Sequence, residues 1–491
     1  MENKILIKIN VKGGILSIGD LDYMVNSIKK YGVQELCIGE RQNLYFTAHG
    51  RTRDALEKLL RTRDFEFEID AESFPNIVSS YAAEDIFSGS TWLSEGIYQD
   101  ILNSLTFNQQ VKINIVDNKQ GFAPLFTGHL NFISSSHLNF WYLYINHPAV
   151  KGFQRWPVLV YSTEIGRLSK VLDTALTTEK EVDLKNLIHK INIEMKLMVA
   201  DITDEASIPI TRFPNYEGLN KIGDKYWLGI YRRQNCFSMD FLEALCEICL
   251  ETKVGKLCLT TWKSLIIKGI PEEMKQSWEK FLGFQGINTR HSSIELNWQL
   301  PDFDKSALKL KKYLVNQFNK ADLQTNGLAF TLKTRPMDLA GSIVIERKGR
   351  LNIGSHSFLP VYNILFAEDF NPNALKWEVY AVDIRKRDLP YYLMLLCRNY
   401  YEQLGKKTTK NFHIASEDEA GINKEKTYQC MDCLTLYQEK FGDEVNNILP
   451  NTSFENLPDG YNCPVCESPK SRYQERSLKK ASKSEVVVLE K

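Results

Sequence analysis

The chain repeats itself, and that repeat limits the possible fold more than any other feature of the sequence. Leu16–Thr47 aligns without a gap on Phe237–Lys268, so that Leu36-Cys37-Ile38 stands against Leu257-Cys258-Leu259. Ser17 faces Ser238, Leu21 faces Leu242, Met24 faces Leu245, Val33 faces Val254 and Leu44 faces Leu265. Each copy opens on an alternating, strand-like run (Ile5–Asn10; Tyr226–Tyr231). A helix follows, with apolar residues at i, i+3, i+4 and i+7: Leu21, Met24, Val25 and Ile28 in one copy, Leu242, Leu245, Cys246 and Cys249 in the other. Two short strands (Glu35–Ile38 and Leu44–Thr47; Lys256–Leu259 and Leu265–Lys268) and a second helix (Asp54–Arg61; Glu272–Phe281) complete the unit. The expected fold class is α+β, built as two related halves.

A looser correspondence extends each half. Val111–Ile115, Leu125–Phe132 and Asn139–Ile145 form one sheet-like block, and Leu328–Leu332, Ile343–Arg347 and Lys376–Ile384 form another. Helical segments precede them near Ser94–Leu105, with Ser94 as a candidate N-cap, and near Lys305–Asn319. A helical stretch around Glu181–Ile202 joins the halves. The expected divisions are residues 1–75 and 216–300 as half-domains, 76–215 and 301–404 as the attached α+β blocks, and 427–475 as a small separate domain. Residues 405–426, containing KKTTK and SEDEAG, read as a flexible linker, and 476–491 as a basic tail.

Charge narrows the function. Lys plus Arg equals Asp plus Glu at 61 each, so no general field draws the chain to nucleic acid or to a membrane surface. No apolar run approaches the ~20 residues of a membrane span. The first residues, MENKILIKINVKGG, alternate instead of forming a signal peptide, which points to a cytoplasmic protein.

Ten cysteines are unevenly placed. Cys37, Cys236, Cys246, Cys249, Cys258 and Cys397 lie among apolar residues and are expected as reduced core side chains. Cys246 and Cys249 form a CxxC, but the repeat sets them opposite Val25 and Ile28 on a buried stripe, which favours packing over metal. The other four cysteines, Cys430, Cys433, Cys463 and Cys466, make two CxxC pairs separated by 29 residues. Two such pairs brought together give a tetrahedral thiolate site, suited to iron or zinc.

The surroundings of these pairs resemble the rubredoxin family. Tyr428 stands two residues before the first ligand, Tyr437 follows the first pair, and Gly442-Asp443 opens the intervening loop. Ile448-Leu449-Pro450-Asn451-Thr452-Ser453-Phe454 is similar to the family's I-x-P-G-T-x-F, and Leu457-Pro458-Asp459, Lys470 and Tyr473 complete the pattern. The resemblance implies one iron held by Cys430, Cys433, Cys463 and Cys466, cycling between ferric and ferrous states. Departures are Leu434 and Glu467 where the family places a left-handed Gly after each pair, Asn451 for the turn Gly, and Tyr461 for a Trp.

The duplicated front resembles the siroheme-binding nitrite and sulfite reductases, whose chain is a duplication with ferredoxin-like half-domains. Gly39-Glu40-Arg41-Gln42-Asn43-Leu44-Tyr45-Phe46 is similar to that family's R-Q-x-x-x-F, and Gly223–Arg233 resembles the start of its second half. The likeness implies a siroheme-binding role for Arg41; the plainer reading, favoured here, is a surface arginine beside a strand. The family also binds a [4Fe–4S] cluster through four cysteines, yet this chain has no cysteine between Cys258 and Cys397. Where ligand loops are expected stand Asp117-Asn118-Lys119-Gln120 and Arg335-Pro336-Met337-Asp338. Neither siroheme nor the cluster is therefore expected, and no catalytic constellation is found.

The combined reading is an iron-binding electron-transfer protein. A rubredoxin module is tethered to a reductase-like docking scaffold and serves redox partner proteins of a nitrate, nitrite or sulfite reductase system. Two alternatives stay open: a divergent siroheme-type reductase, and an interaction protein whose four cysteines hold zinc.

Overall fold

The structure, a computed structural model, describes residues 4–87, 89, 92–203, 212–349, 360–404 and 427–476, apart from 434, 440–441, 444–445, 447 and 450–451. The expected linker, Leu434, Asn451 and the tail beyond Arg476 lie outside these residues. The chain divides into two compact units, the first ending at Glu402 and the second beginning at Gln403.

The first half is built from β1 (Lys4–Asn10), β2 (Ile15–Ser17), α1 (Ile18–Ile28), β3 (Glu35–Ile38), β4 (Leu44–His49), α2 (Arg53–Arg61) and β5 (Glu66–Ile69). Sheet order β3-β4-β1-β5, with every neighbour antiparallel, is the ferredoxin-like arrangement. The second half repeats it with Lys225–Ile230, helix Met239–Glu251, Lys256–Leu259, Leu265–Pro271 and helix Lys275–Phe284. Strand Gly218–Ile222, which precedes this half, fills the edge that β5 occupies in the first.

Equivalent positions share local chemistry. Ser17 caps α1 by accepting from the Asp20 amide, and Ser238 caps its counterpart by accepting from the Phe241 amide. Left-handed backbone recurs at Gly14 and Asn235, Gly32 and Lys253, and Gln42 and Lys263. Each pair keeps the spacing of the sequence repeat although only the first copy uses glycine, and only at two of the three. The backbone path has been retained where a side chain makes that conformation costly.

The halves exchange strands. β2 leaves its own sheet and pairs with Lys256–Leu259 of the second half, while Cys236–Ser238 pairs with β3 of the first. Helices α1 and Met239–Glu251 then pack on one another within a single apolar core containing Met24, Val25, Ile28, Leu245, Cys246 and Cys249. Lys29 reaches across to Asp240 at 2.8 Å and Glu243 at 2.6 Å.

The exchange overturns the expectation for two cysteines. Cys37 and Cys236 lie directly opposite one another across the exchanged strands and form a disulfide. They looked like separate core residues because their pairing arises only once strands 199 residues apart are brought together. Cys246, Cys249, Cys258 and Cys397 are buried and free, as expected.

Each half carries a mixed sheet. One runs Val78–Ser79, Ile113–Val116, Leu130–Ser134, Phe140–Ile145, Val158–Tyr161, Val199–Asp201, and the other Trp298–Gln299, Phe330–Lys333, Ile343–Lys348, Val361–Ala367, Trp377–Arg385. In both, the first three strands are parallel and the next joins antiparallel. Phe140–Ile145 thus corresponds to Val361–Ala367, one strand earlier than the sequence pattern suggested, because Trp377–Arg385 carries the stronger alternation. Helix Glu95–Ser104 begins after Ser94, whose side chain makes no cap bond; the Glu95 amide donates to the Glu84 carboxylate instead. Helix Leu184–Met195 occupies the expected connector, and helix Ile165–Thr178 precedes it.

Burial pushes the Cys246 and Cys249 thiols up to about 12, which disfavours the thiolate that metal binding or thiol exchange needs. Cys249→Val is expected to change stability by less than about 1.5 kcal/mol as a near-isosteric core swap. Thermal unfolding and metal analysis of the variant check this; lost metal would place that helix in the metal site.

Candidate metal centre

Two turns present the ligands. Strand Thr427–Cys430 delivers Cys430 into the first, and Cys430 N donates to Thr435 O at 2.8 Å to close it. The second repeats the geometry, with Cys463 N donating to Ser468 O at 2.8 Å. Glu467 takes the left-handed conformation (φ 60°) that its position after the second pair demands, without the help of glycine.

All four sulfurs lie within 4.8 Å of one another. Cys430 Sγ is 3.6 Å from Cys466 Sγ, and Cys433 Sγ is 3.4 Å from Cys463 Sγ. Metal–sulfur bonds of ~2.3 Å in a tetrahedron set sulfurs roughly 3.8 Å apart, so the donor set fits one four-coordinate metal. Cys430 and Cys463 are buried, Cys433 is half-buried and Cys466 exposed.

Polar groups face the sulfurs. Thr435 Oγ1 lies 3.0 Å from Cys433 Sγ, and Ser468 Oγ lies 3.1 Å from Cys466 Sγ. Burial raises the Cys463 thiol, yet the Tyr473 hydroxyl and the Val465 and Cys466 amides beside it bring it down to about 6. Hydrogen bonds from the Ser468 hydroxyl and amide lower Cys466 as well. Such donors favour the thiolates a metal requires. The hydroxyl two residues after the second cysteine of each pair escaped the sequence reading, although C-x2-C-x-[Thr/Ser] is written twice in the chain.

An aromatic core supports the turns. Tyr428 stacks on Phe454 at 4.0 Å, and Tyr437, Tyr461 and Tyr473 close around them. Tyr461 donates to Asp443 Oδ2 at 2.8 Å, a use for the hydroxyl that replaces the family's indole. Lys470 Nζ donates to Glu455 O and Leu457 O, pinning the Phe454 turn. Asp432 accepts two hydrogen bonds from Arg472, which hold its carboxyl down to about 2.

In the first unit, Arg41 donates to Asn76 O at 3.0 Å, Thr127 O at 3.3 Å, Ile113 O at 3.1 Å and Asn114 Oδ1 at 3.1 Å. It is half-buried, and its guanidinium bonds to groups of the protein itself. Trp262 holds the equivalent place in the second copy and donates to Phe122 O at 2.6 Å. Between them, Glu40, Thr261, Gln299 and Asp338 help enclose a space of about 10 Å³ for a water's centre, room for roughly one molecule. Asp117 accepts from Ser134 Oγ and the Lys119 amide, Gln120 bonds the backbone of its own turn, and Asp338 pairs with Lys112 at 2.5 Å. The positions expected of ligand loops are thus engaged in turns and ion pairs.

The second unit is therefore a metal-knuckle domain with a four-thiolate centre, and comparison with known proteins names its family. Residues 427–473 match the family model for rubredoxin. Rubredoxin-1 of Chlorobaculum tepidum is 30% identical over 61 residues, 12% of this chain and 88% of the relative. The probable rubredoxin HupI of Bradyrhizobium diazoefficiens is 42% identical over 45 residues, 9% of this chain and 65% of the relative. The high molecular weight rubredoxin of Moorella thermoacetica is 30% identical over 80 residues, 16% of this chain and only 35% of the relative. The chain belongs to the rubredoxin family through this domain, and that membership supports one iron and a part in electron transport. The chain also resembles the solved NirA protein of Mycobacterium tuberculosis, with TM-score 0.65 and 13% identity over 83% of this chain and 82% of that one. At that identity the likeness shows the fold, and it agrees with the duplicated, reductase-like architecture expected for the front.

Cys433→Ser or Cys463→Ser is expected to abolish metal binding and unfold residues 427–476 while the first unit keeps its thermal transition. Gly442→Ala tests the loop separately: φ is +66° and an added Cβ would sit 2.4 Å from Ile448 O. It should destabilise the metal domain by about 2 kcal/mol or more, read as a lower midpoint for loss of the metal's absorption.

Proposed function

We propose that this protein is a one-electron carrier whose iron sits on Cys430, Cys433, Cys463 and Cys466, and whose first unit is a docking scaffold for redox partner proteins. The observation that carries the reading is the convergence of four sulfurs inside a rubredoxin framework, with hydrogen-bond donors aimed at them. Iron in such a set exchanges one electron with little change in ligand geometry. The exposed Cys466, with Val465 beside it in sequence 69% exposed and Met431 next to Cys430 44% exposed, offers the edge through which a partner approaches.

The scaffold reading rests on Arg41 and the small space beside it. A guanidinium committed to four protein acceptors, next to room for about one water, favours a structural arginine over a siroheme ligand. Absence of siroheme and of a [4Fe–4S] cluster is part of this proposal. So are a nitrate, nitrite or sulfite reductase system as the process served, which rests on likeness of fold, and a cytoplasmic location. Among the described residues no helix is long and apolar enough to cross a membrane.

Purified protein from iron-replete cells is expected to be red, to contain one iron per chain and to bleach with dithionite. Strong additional porphyrin-type bands would favour a siroheme reductase, and colourless protein with stoichiometric zinc an interaction module.

Charge suggests how partners meet the module. Residues 426–475 carry four basic and eight acidic side chains, a net of −4 before the metal site is counted. Opposite-charge steering fades as salt shortens the Debye length from ~30 Å at 0.01 M to ~10 Å at 0.1 M. Electron transfer to the partner should slow with rising ionic strength, and Glu467→Lys should slow it at low salt with the iron spectrum unchanged. Asp432 is a poor choice for this reversal, because its carboxylate holds Arg472. A rate indifferent to salt would move recognition away from charge.

A further inference from the structure

We propose that Cys37 and Cys236 form a reversible thiol–disulfide switch, a second redox group that latches the two repeats together and exchanges with a low-molecular-weight thiol. Four observations carry it.

The pair lies on the exchanged strands, so its bond joins one repeat to the other. Both residues are only half-buried, which leaves a sulfur within reach of a small thiol.

The strand pairing does not depend on the bond. Ile38 N donates to Asn235 O at 2.9 Å on one side, and Met239 N donates to Gln34 O at 3.0 Å on the other. The reciprocal exchange shows the same independence: there Ile15 stands opposite Cys258, a single sulfur with no partner cysteine, and the strands still pair. The duplicated fold therefore forms its seam without a disulfide, and the pair is an addition at one edge.

The other free cysteines of the first unit do not compete for this chemistry. Cys246, Cys249, Cys258 and Cys397 are buried, and burial holds each thiol far above neutral pH. In a compartment that keeps thiols reduced, a persistent structural disulfide is unusual, whereas a redox-sensing one is the common kind.

Glu35 sets the rate. It is exposed, lies two residues before Cys37 on the same strand, and its carboxylate falls within 4.8 Å of both sulfurs. A negative charge there disfavours the thiolate, the attacking species in exchange. The step balances as two exchanges: two small thiols reduce the S–S bond, leaving Cys37 and Cys236 as thiols and the small thiols joined as their own disulfide.

The full chain, held native in mixtures of reduced and oxidised glutathione, tests this. Rapid alkylation and mass mapping should show Cys37 and Cys236 passing together from unlabelled to labelled as the reduced fraction rises, and returning when it falls. The iron absorption is read in parallel, so loss of the metal centre is distinguished from failure of the switch. The first unit's thermal midpoint should drop by several degrees on reduction, because the crosslink no longer restricts the unfolded chain. That dependence should vanish in both Cys37→Ser and Cys236→Ile, the latter copying the residue at the reciprocal edge. Glu35→Gln should speed reoxidation severalfold. Labelling only after denaturation, complete labelling at every glutathione ratio, or a redox-dependent midpoint that survives in the variants would overturn the proposal.

Discussion

The first unit depends on the exchange of one short strand in each direction. A ferredoxin-like half has a sheet with one face covered by its own helices, and β3 and Lys256–Leu259 would both be bare edges in isolation. Bare edges invite uncontrolled pairing. Here each is covered by three residues from the other copy, and the covering residues lead directly into the capped helices that form the shared core. One device therefore closes two edges, fixes the helix pair and makes the repeats inseparable. It also explains why Ser17 and Ser238 survive as a matched pair while much around them has drifted: each ends a covering strand and begins a core helix.

The turns of the two copies meet near the seam, and their chemistry has diverged. Arg41 and Gln42 stand where the second copy has Trp262 and Lys263. Gln42 bridges Ser79 and Leu259 with its amide, tying its own block to the opposite half. Lys263 pairs with Asp302 at 2.5 Å and donates to Leu300 O within its own half, and Asp302 in turn accepts from the Glu40 amide of the first half at 3.0 Å. Buried charges of this kind are retained only where each finds a partner, since the desolvation cost is several kcal/mol per ion. Glu40 shows the strain of the arrangement: burial, with Asp302 adding to it, raises its carboxyl to about 7. The seam reads as a polar joint between halves. Its charges are spent on holding segments together.

Much of this was legible in the sequence, for reasons that can be stated. The repeat was readable because core-facing positions tolerate few substitutions, so Leu21 and Leu242 or Val33 and Val254 keep their register. The convergence of Cys430, Cys433, Cys463 and Cys466 was readable because two CxxC turns at that spacing have few other uses. Three features were not. The disulfide depends on strand exchange, which no local pattern announces. Val361–Ala367 was passed over because its neighbour Trp377–Arg385 alternates more strongly. The commitment of Arg41 to backbone carbonyls was invisible, since its acceptors on Asn76, Ile113 and Thr127 come together only in the fold.

The metal domain is held by a different balance. Its apolar support is a handful of rings around Phe454, too few for a domain of this size to be secure unaided. Four thiols gathered within 4.8 Å repel one another once ionised, so without a cation the arrangement works against itself. A metal reverses the sign of that interaction and turns the centre into the strongest link of the domain. The donors then acquire their second meaning. The Thr435 and Ser468 hydroxyls lie against the outer sulfurs, and the Val465 and Cys466 amides beside the inner Cys463. The same groups that make the thiolates affordable also stabilise the more negative, reduced state of an iron centre, so folding and reduction potential are set by one group of hydrogen bonds. A change that removes one of these donors is thus felt in both.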